Sequence, residues 1–166
     1  LGLSRISENR WGGLPVTLLL TTTGIAMAFP LAILVALGRQ SGDPMLRFVC
    51  LLYVELIRGV PLISVLFMAS VLFPLFLPEG MELSKLVRAQ LAIWLFIAAY
   101  LSELVRAGLQ TLGKGQTEAA AALGLGYWQT VFLIQLPQAL VAALPPIVSL
   151  AIGFFKNTSL IMTIGI

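Results

Sequence analysis

The sequence predicts an all-α, polytopic membrane protein: a bundle of about four to five transmembrane helices carrying one short helical loop on its cytoplasmic side. Three observations predict it. Of the 166 residues, 59% are hydrophobic and 10% charged, far from the roughly 25% charged residues of soluble domains. The apolar stretches are continuous and rich in Leu, Ala, Ile and Val, so they read as helices rather than as the alternating ten-residue strands of a barrel. At the ~20 residues a helix needs to cross the hydrocarbon core, the runs allow about four or five crossings, and what lies between is too short for a soluble catalytic domain.

Ahead of the first run, LGLSRISENRWGG is a polar lead whose Trp11 suits the membrane interface. The first crossing spans Leu14 to Leu37, with Thr17, Thr21, Thr22 and Thr23 able to bond back to the helix or across to a neighbour, and Pro30 expected to bend it. Gly38 to Pro44, GRQSGDP, has turn chemistry. From Met45 to Leu77 the chain stays apolar. That is about 50 Å of helix, too long for one straight crossing. Pro61 removes a donor and disfavours a helical Val60, so the spacing predicts a break at RGVP, residues 58–61, within a span over 46–77.

The next link, PEGMELSKLVR, carries Glu79, Glu82, Lys85 and Arg88 and nets to zero; the third crossing then runs over 89–110 and a further one over 139–155. Arg39 and Arg47 against Asp43 in the first link, and Lys114 in the third, put both links in the cytoplasm by the positive-inside rule. The N-terminus and the second link fall outside. Leu1 is not Met and Ile166 lies inside an apolar run, so both ends of this single domain, 1–166, are expected to be truncated.

Composition also removes whole function classes. With no His and one Cys, Cys50, there is no internal disulfide, zinc cluster or histidine-based triad. Ser, Lys and carboxylate residues do not cluster as an intramembrane enzyme would need. The net charge of +3 is scattered over helix ends rather than gathered on a stripe, which argues against nucleic acid. No phosphate-binding GxxxxGK[ST] loop is present.

Between the last two crossings, 112–137 is neither a span nor an ordinary loop. Glu118 to Leu123 holds strong helix formers, Gly124 and Gly126 can take the positive φ that ends a helix, and Tyr127 to Leu136 returns to helical spacing before Pro137. The small face Ala119 to Ala122 lets another surface approach closely, while Glu118 offers a charge. Read from the residues alone, this is either a hairpin packed on its own bundle or a docking element.

Glu118, Ala119, Ala120, Gly124, Leu136 and Pro137 fit E-A-A-x3-G-x11-L-P. This resembles the EAA loop of permease subunits of ABC importers. GQTEAAAALGLGYWQT, Gly115 to Thr130, resembles the form found in permeases for polar amino acids. The likeness extends through LPVTLLLT, ELIRGVPLI, AYLSELVRAG, LPQAL and FKNTSL. It departs at Ala107, where the family commonly has Gly, and at Asn157, where Asp is common.

The resemblance implies a multi-pass permease of the bacterial cytoplasmic (inner) membrane that moves L-amino acids by alternating access and performs no chemistry. Its EAA loop would dock on a cytoplasmic ATPase dimer, the alanines allowing close approach, Gly124 making the turn and Glu118 pairing with a basic residue. The chain itself would hold no cofactor, with ATP and Mg on the ATPase. Further partners implied are a second permease subunit, the same or related, an external amino-acid-binding protein and membrane lipid. An ABC permease for another small solute, or an ion-coupled secondary carrier with inverted repeats, is the alternative.

Two charged pairs, Glu55 with Arg58 and Glu103 with Arg106, sit at i, i+3 near the apolar boundary, where an unpaired charge is costly. They read either as interfacial anchors or as a gate on the path of a zwitterion. Lys156, Asn157, Thr158 and Ser159 interrupt apolar sequence and read as a path lining or as an outer loop.

Overall fold

In the computed structural model, which describes residues 13–76, 78 and 83–157, all regular structure among the described residues is helical. Helix α1 (Gly13–Gly38) runs without interruption through Pro30. Asp43 then caps α2 (Pro44–Arg58), its carboxylate accepting from the Met45 N–H at 2.8 Å, and Pro44 takes the first helical position, where its missing N–H is harmless.

The chain turns by 100° between α2 and the next helical segment, Leu62–Phe76. Gly59 ends α2, and Pro61, in extended conformation with ψ 143°, starts α3 (Leu62–Phe67). Beyond α3 the helix loosens into a π turn, Met68–Leu72, then tightens into a 3₁₀ turn, Phe73–Phe76.

Helix α4 (Lys85–Gln110) starts one turn ahead of the expected 89, because Ser84 caps it by accepting from the Val87 N–H at 3.3 Å. Lys85 and Arg88 therefore belong to the helix and not to the preceding link. After α4 come α5 (Lys114–Ala122), the single turn α6 (Tyr127–Gln129), a π turn over Thr130–Gln135, and α7 (Leu136–Asn157). The expected start of the last crossing at 139 gives way to one helical run, Tyr127–Asn157. Pro137 does not begin that run: the π turn before it rearranges the ladder where the proline lacks a donor, and Gln138 Nε2 donates to the Ile134 carbonyl at 2.9 Å.

Three helices, Leu14–Gly38, Lys85–Gln110 and Tyr127–Asn157, are long and apolar enough to cross a membrane, and the bent pair makes up to four. In α4, 56% of the most apolar stretch is buried, against 17% in Tyr127–Asn157. Helix α4 is thus the centre, and α7 shows most of its surface to lipid or to other protein. Two apolar clusters stack along α4. One joins Leu20 and Ala28 of α1, Leu66 of α3, Ile93 and Ile97 of α4, and Phe154 of α7. The other joins Ala36, Val105, Val131, Leu136 and Ala139 beside the hairpin.

Between apolar helices in lipid, close approach of backbones supplies much of the attraction. Gly108 provides it here: a Cβ on Gly108 would stand 2.3 Å from the Ala139 carbonyl oxygen, so α4 and α7 touch backbone to backbone.

Candidate functional site

The hairpin over 114–135 is shaped by local hydrogen bonds. At the end of α5 the Leu125 N–H donates to the Ala120 carbonyl and the Gly124 N–H to the Ala121 carbonyl, both at 3.0 Å, with Gly124 at φ +74°. This is the six-to-one and five-to-two pairing of a Schellman ending, which requires a left-handed residue at Gly124. Gly126 does not share that role. At φ −70° it caps α6 instead, and its N–H donates to Gln129 Oε1 at 2.9 Å.

Two hydrogen bonds from glutamine side chains tie α5 back onto the returning chain. Gln135 Nε2 donates to Thr117 Oγ1 at 2.9 Å and Gln138 Nε2 to Gln116 Oε1 at 3.4 Å. Of the expected docking residues, Glu118 and Ala119 are exposed, and Glu118 has no ion-pair partner among the described residues. Ala120 differs: at 1% exposure it faces its own chain, so the outward small face is Ala119, Ala121 and Ala122. Leu136 is buried and Pro137 exposed. Beside them Leu123, Tyr127 and Trp128 are exposed, at 78%, 61% and 59%.

The charged residues gather on Glu103. Arg106, one turn on, and Arg39, at the end of α1, both donate to its carboxylate, while Arg58 Nη1 stands 3.7 Å from Glu103 Oε2. Three guanidinium groups thus share one carboxylate and leave the cluster two charges positive. The expected Glu55–Arg58 pair does not form. Glu55 lies exposed, and Arg58, the last residue of α2, reaches towards α4 instead. There its guanidinium sits 5.5 Å from the centre of the Tyr100 ring, and Tyr100 Oη donates to the Arg58 carbonyl at 3.5 Å.

Next to this cluster a cavity of about 390 Å³ opens between the break and α7, lined by Val60, Pro61, Phe96, Tyr100, Ser149 and Asn157 among others. Asn157 is the last described residue and Lys156, which has partners of its own, precedes it. Thr158 and Ser159, expected beside them, lie outside the described residues, as do Glu79, Glu82 and Trp11. Sequence reasoning missed Arg39 and Tyr100 as members of the charged cluster. Arg39 stood out only as a loop charge, and nothing in linear spacing links it to a carboxylate 64 positions away.

Residues 28–166 match the family described as binding-protein-dependent transport system inner membrane component. The chain belongs to this family. As a member of the family of inner-membrane transport components it is a membrane protein of a transport system, and its helical bundle is that of an ABC permease. It is 51% identical over 164 residues to the inner membrane amino-acid ABC transporter permease protein YhdY of Escherichia coli (strain K12), an alignment that takes in 99% of this chain and 45% of that protein. It is 44% identical to the glutamate/glutamine/aspartate/asparagine transport system permease protein BztC of Rhodobacter capsulatus, over 100% of this chain and 38% of that protein. The chain therefore spans under half the length of these two relatives. Against the glutamate/aspartate import permease protein GltK of Escherichia coli O6:H1 it is 35% identical over 93% of this chain and 71% of that one. Among solved structures, an amino acid ABC transporter crystallised with histidines aligns at a TM-score of 0.79 and 29% identity, over 93% of this chain and 71% of the other. The permease-family fold thus extends over nearly all of the chain.

Proposed function

We propose that this chain is the membrane-spanning permease part of an ATP-driven importer that moves L-amino acids, polar or charged, across the inner membrane by alternating access. The observation that carries the reading is the α5 hairpin: a short helix closed at its C-terminal end and bonded to the returning chain through Gln116 and Thr117, with Glu118, Ala119, Ala121 and Leu123 turned outward beyond the end of α4. A small-residue face allows a partner surface to approach closely, and the charge at Glu118 fixes register on a basic group. The names of the relatives, which are permeases for glutamate, glutamine, aspartate and asparagine among others, support the substrate class.

In this reading 1–166 acts as one transmembrane domain with 112–137 as its coupling loop. The chain pairs with a second permease subunit, docks on a cytoplasmic ATPase dimer that carries ATP and Mg, and receives substrate from an external binding protein. It contributes no ATPase site and does no chemistry. ATP binding acts only through a differential contact with the two states of the permease, and the hairpin transmits that difference. The cluster of Glu103 with Arg39, Arg58 and Arg106, the exposed Glu55, Asn157 by the cavity and its neighbour Lys156 then line or gate the route. An apolar path would hold no zwitterion.

The test reconstitutes the full-length protein with its ATPase and binding protein in lipid and measures ATP hydrolysis against a panel of amino acids, with Gly124→Arg as control. Stimulation by one group of amino acids, lost in the control, is the expected result. Hydrolysis indifferent to every amino acid in an assembled complex sinks the substrate class and leaves a permease for another small solute. Failure to assemble sinks the hairpin reading.

A further inference from the structure

At the end of α4 opposite the hairpin, a second cavity of about 380 Å³ lies between the loosened stretch after α3 and the first turns of α4. Its walls are apolar, with Met68, Leu72, Phe73, Phe76 and Leu95 exposed along it. One lining residue breaks that pattern, Arg88, four residues into the crossing from the Ser84 cap.

Arg88 Nη1 donates to the Ser70 carbonyl at 2.7 Å, and its Nε is buried without a hydrogen-bond partner. The Ser70 carbonyl lies in the π turn, so the guanidinium is held in place by the irregular backbone that widens the groove. No carboxylate forms an ion pair with it among the described residues. A cation lining an apolar groove, about one helical turn below a helix end, is matched by an amphiphile with an anionic head and a hydrocarbon tail.

We infer that this groove binds an anionic phospholipid, its phosphate on Arg88 and one acyl chain along Met68, Leu72, Phe73 and Leu95. A second copy of the chain fits less well, since it would have to bring its own carboxylate into an otherwise apolar seam. The bilayer supplies head and tail together. The phosphate is charged at every physiological pH and accepts charge-assisted hydrogen bonds from guanidinium, which are about twice as strong as neutral ones. The inference stands apart from the transport reading.

Native mass spectrometry of the full-length protein from nanodiscs holding equal phosphatidylglycerol and phosphatidylcholine tests it. The wild type should retain phosphatidylglycerol about tenfold over phosphatidylcholine, because both bring the phosphate but only choline also sets a like charge beside the Arg88 guanidinium. Arg88→Gln should abolish the preference and Arg88→Lys keep most of it; Ala69→Phe, which fills the groove while leaving Arg88, should reduce retention of both lipids. Absence of any preference in the wild type overturns the inference, and so does a preference that survives Arg88→Gln. Disulfide cross-linking between copies through Leu72→Cys, in a Cys50→Ser background, would assign the groove to a second copy. Protection of Leu72→Cys from a maleimide in lipid-free detergent would assign it to another segment of the full chain.

Discussion

Arg58 Nη1 lies 3.7 Å from Glu103 Oε2, on another helix, and not on Glu55, one turn away on its own. That contact is the loosest of the three on Glu103, and Arg58 is the most exposed of its arginines, at 37% against 10% for Arg39 and 24% for Arg106.

A loose, exposed pair contributes about 0–1 kcal/mol to stability. Arg58→Ala should therefore leave the folded protein within about 1 kcal/mol of wild type while lowering amino-acid uptake in the assembled complex. Uptake in proteoliposomes and thermal unfolding of the same preparations check it. Normal uptake would sink the assignment of Arg58 to the path.

Glu103→Gln should behave otherwise. It leaves Arg39 and Arg106, both largely covered, without a counter-charge, and breaking such a pair from one side costs about 3–5 kcal/mol when fully buried; with Glu103 22% exposed the loss should fall towards about 3 kcal/mol or below. Unfolding in detergent micelles measures it. Adding Arg39→Leu to Glu103→Gln should recover part of the loss, because the two side chains share one interaction.

Gly108→Ala tests the contact of α4 with α7. The added methyl meets a backbone oxygen rather than a side chain that can turn away. The helices must separate, with an expected loss of about 1–3 kcal/mol. Ala107→Gly, at an exposed position on the same turn, should cost about 1 kcal/mol or less. A thermal shift comparing the two variants decides whether the close approach matters.

Gly124→Ala forces a side chain into left-handed backbone, which costs about 1–2 kcal/mol. Much of that loss should be local: the amides of Gly124 and Leu125, now bonded to Ala121 and Ala120, should exchange faster with deuterium while amides in the middle of α4 keep their protection. Equal acceleration in both places would mean that the hairpin is not a separate unit.

Runs of apolar residues, the proline of RGVP and the glycine at 124 each carry their conformational preference in the local sequence, so the crossings, the break and the α5 turn were legible before any contact was known. Contacts between helices were not. Periodicity tells which face of a helix is apolar but not which helix meets it, and so Arg39 and Tyr100 went unassigned and Glu55 was given a partner it lacks. Gly126 shows the same limit at short range: glycine permits a positive φ, and only the bonds around it decide whether that freedom is used. Proline ordinarily favours the first turn of a helix, and Pro137 stands inside a helical run because a π turn replaces the regular ladder before it.

The contact between Gly108 and Ala139 has a mechanical meaning. The hairpin is joined at one end to α4 and at the other to α7, and this glycine and alanine bring those two helices together close to it. With no side chain interleaved at that point, main-chain contact alone fixes the spacing of the two helices, so the pair acts as a spacer of set thickness at the root of the hairpin.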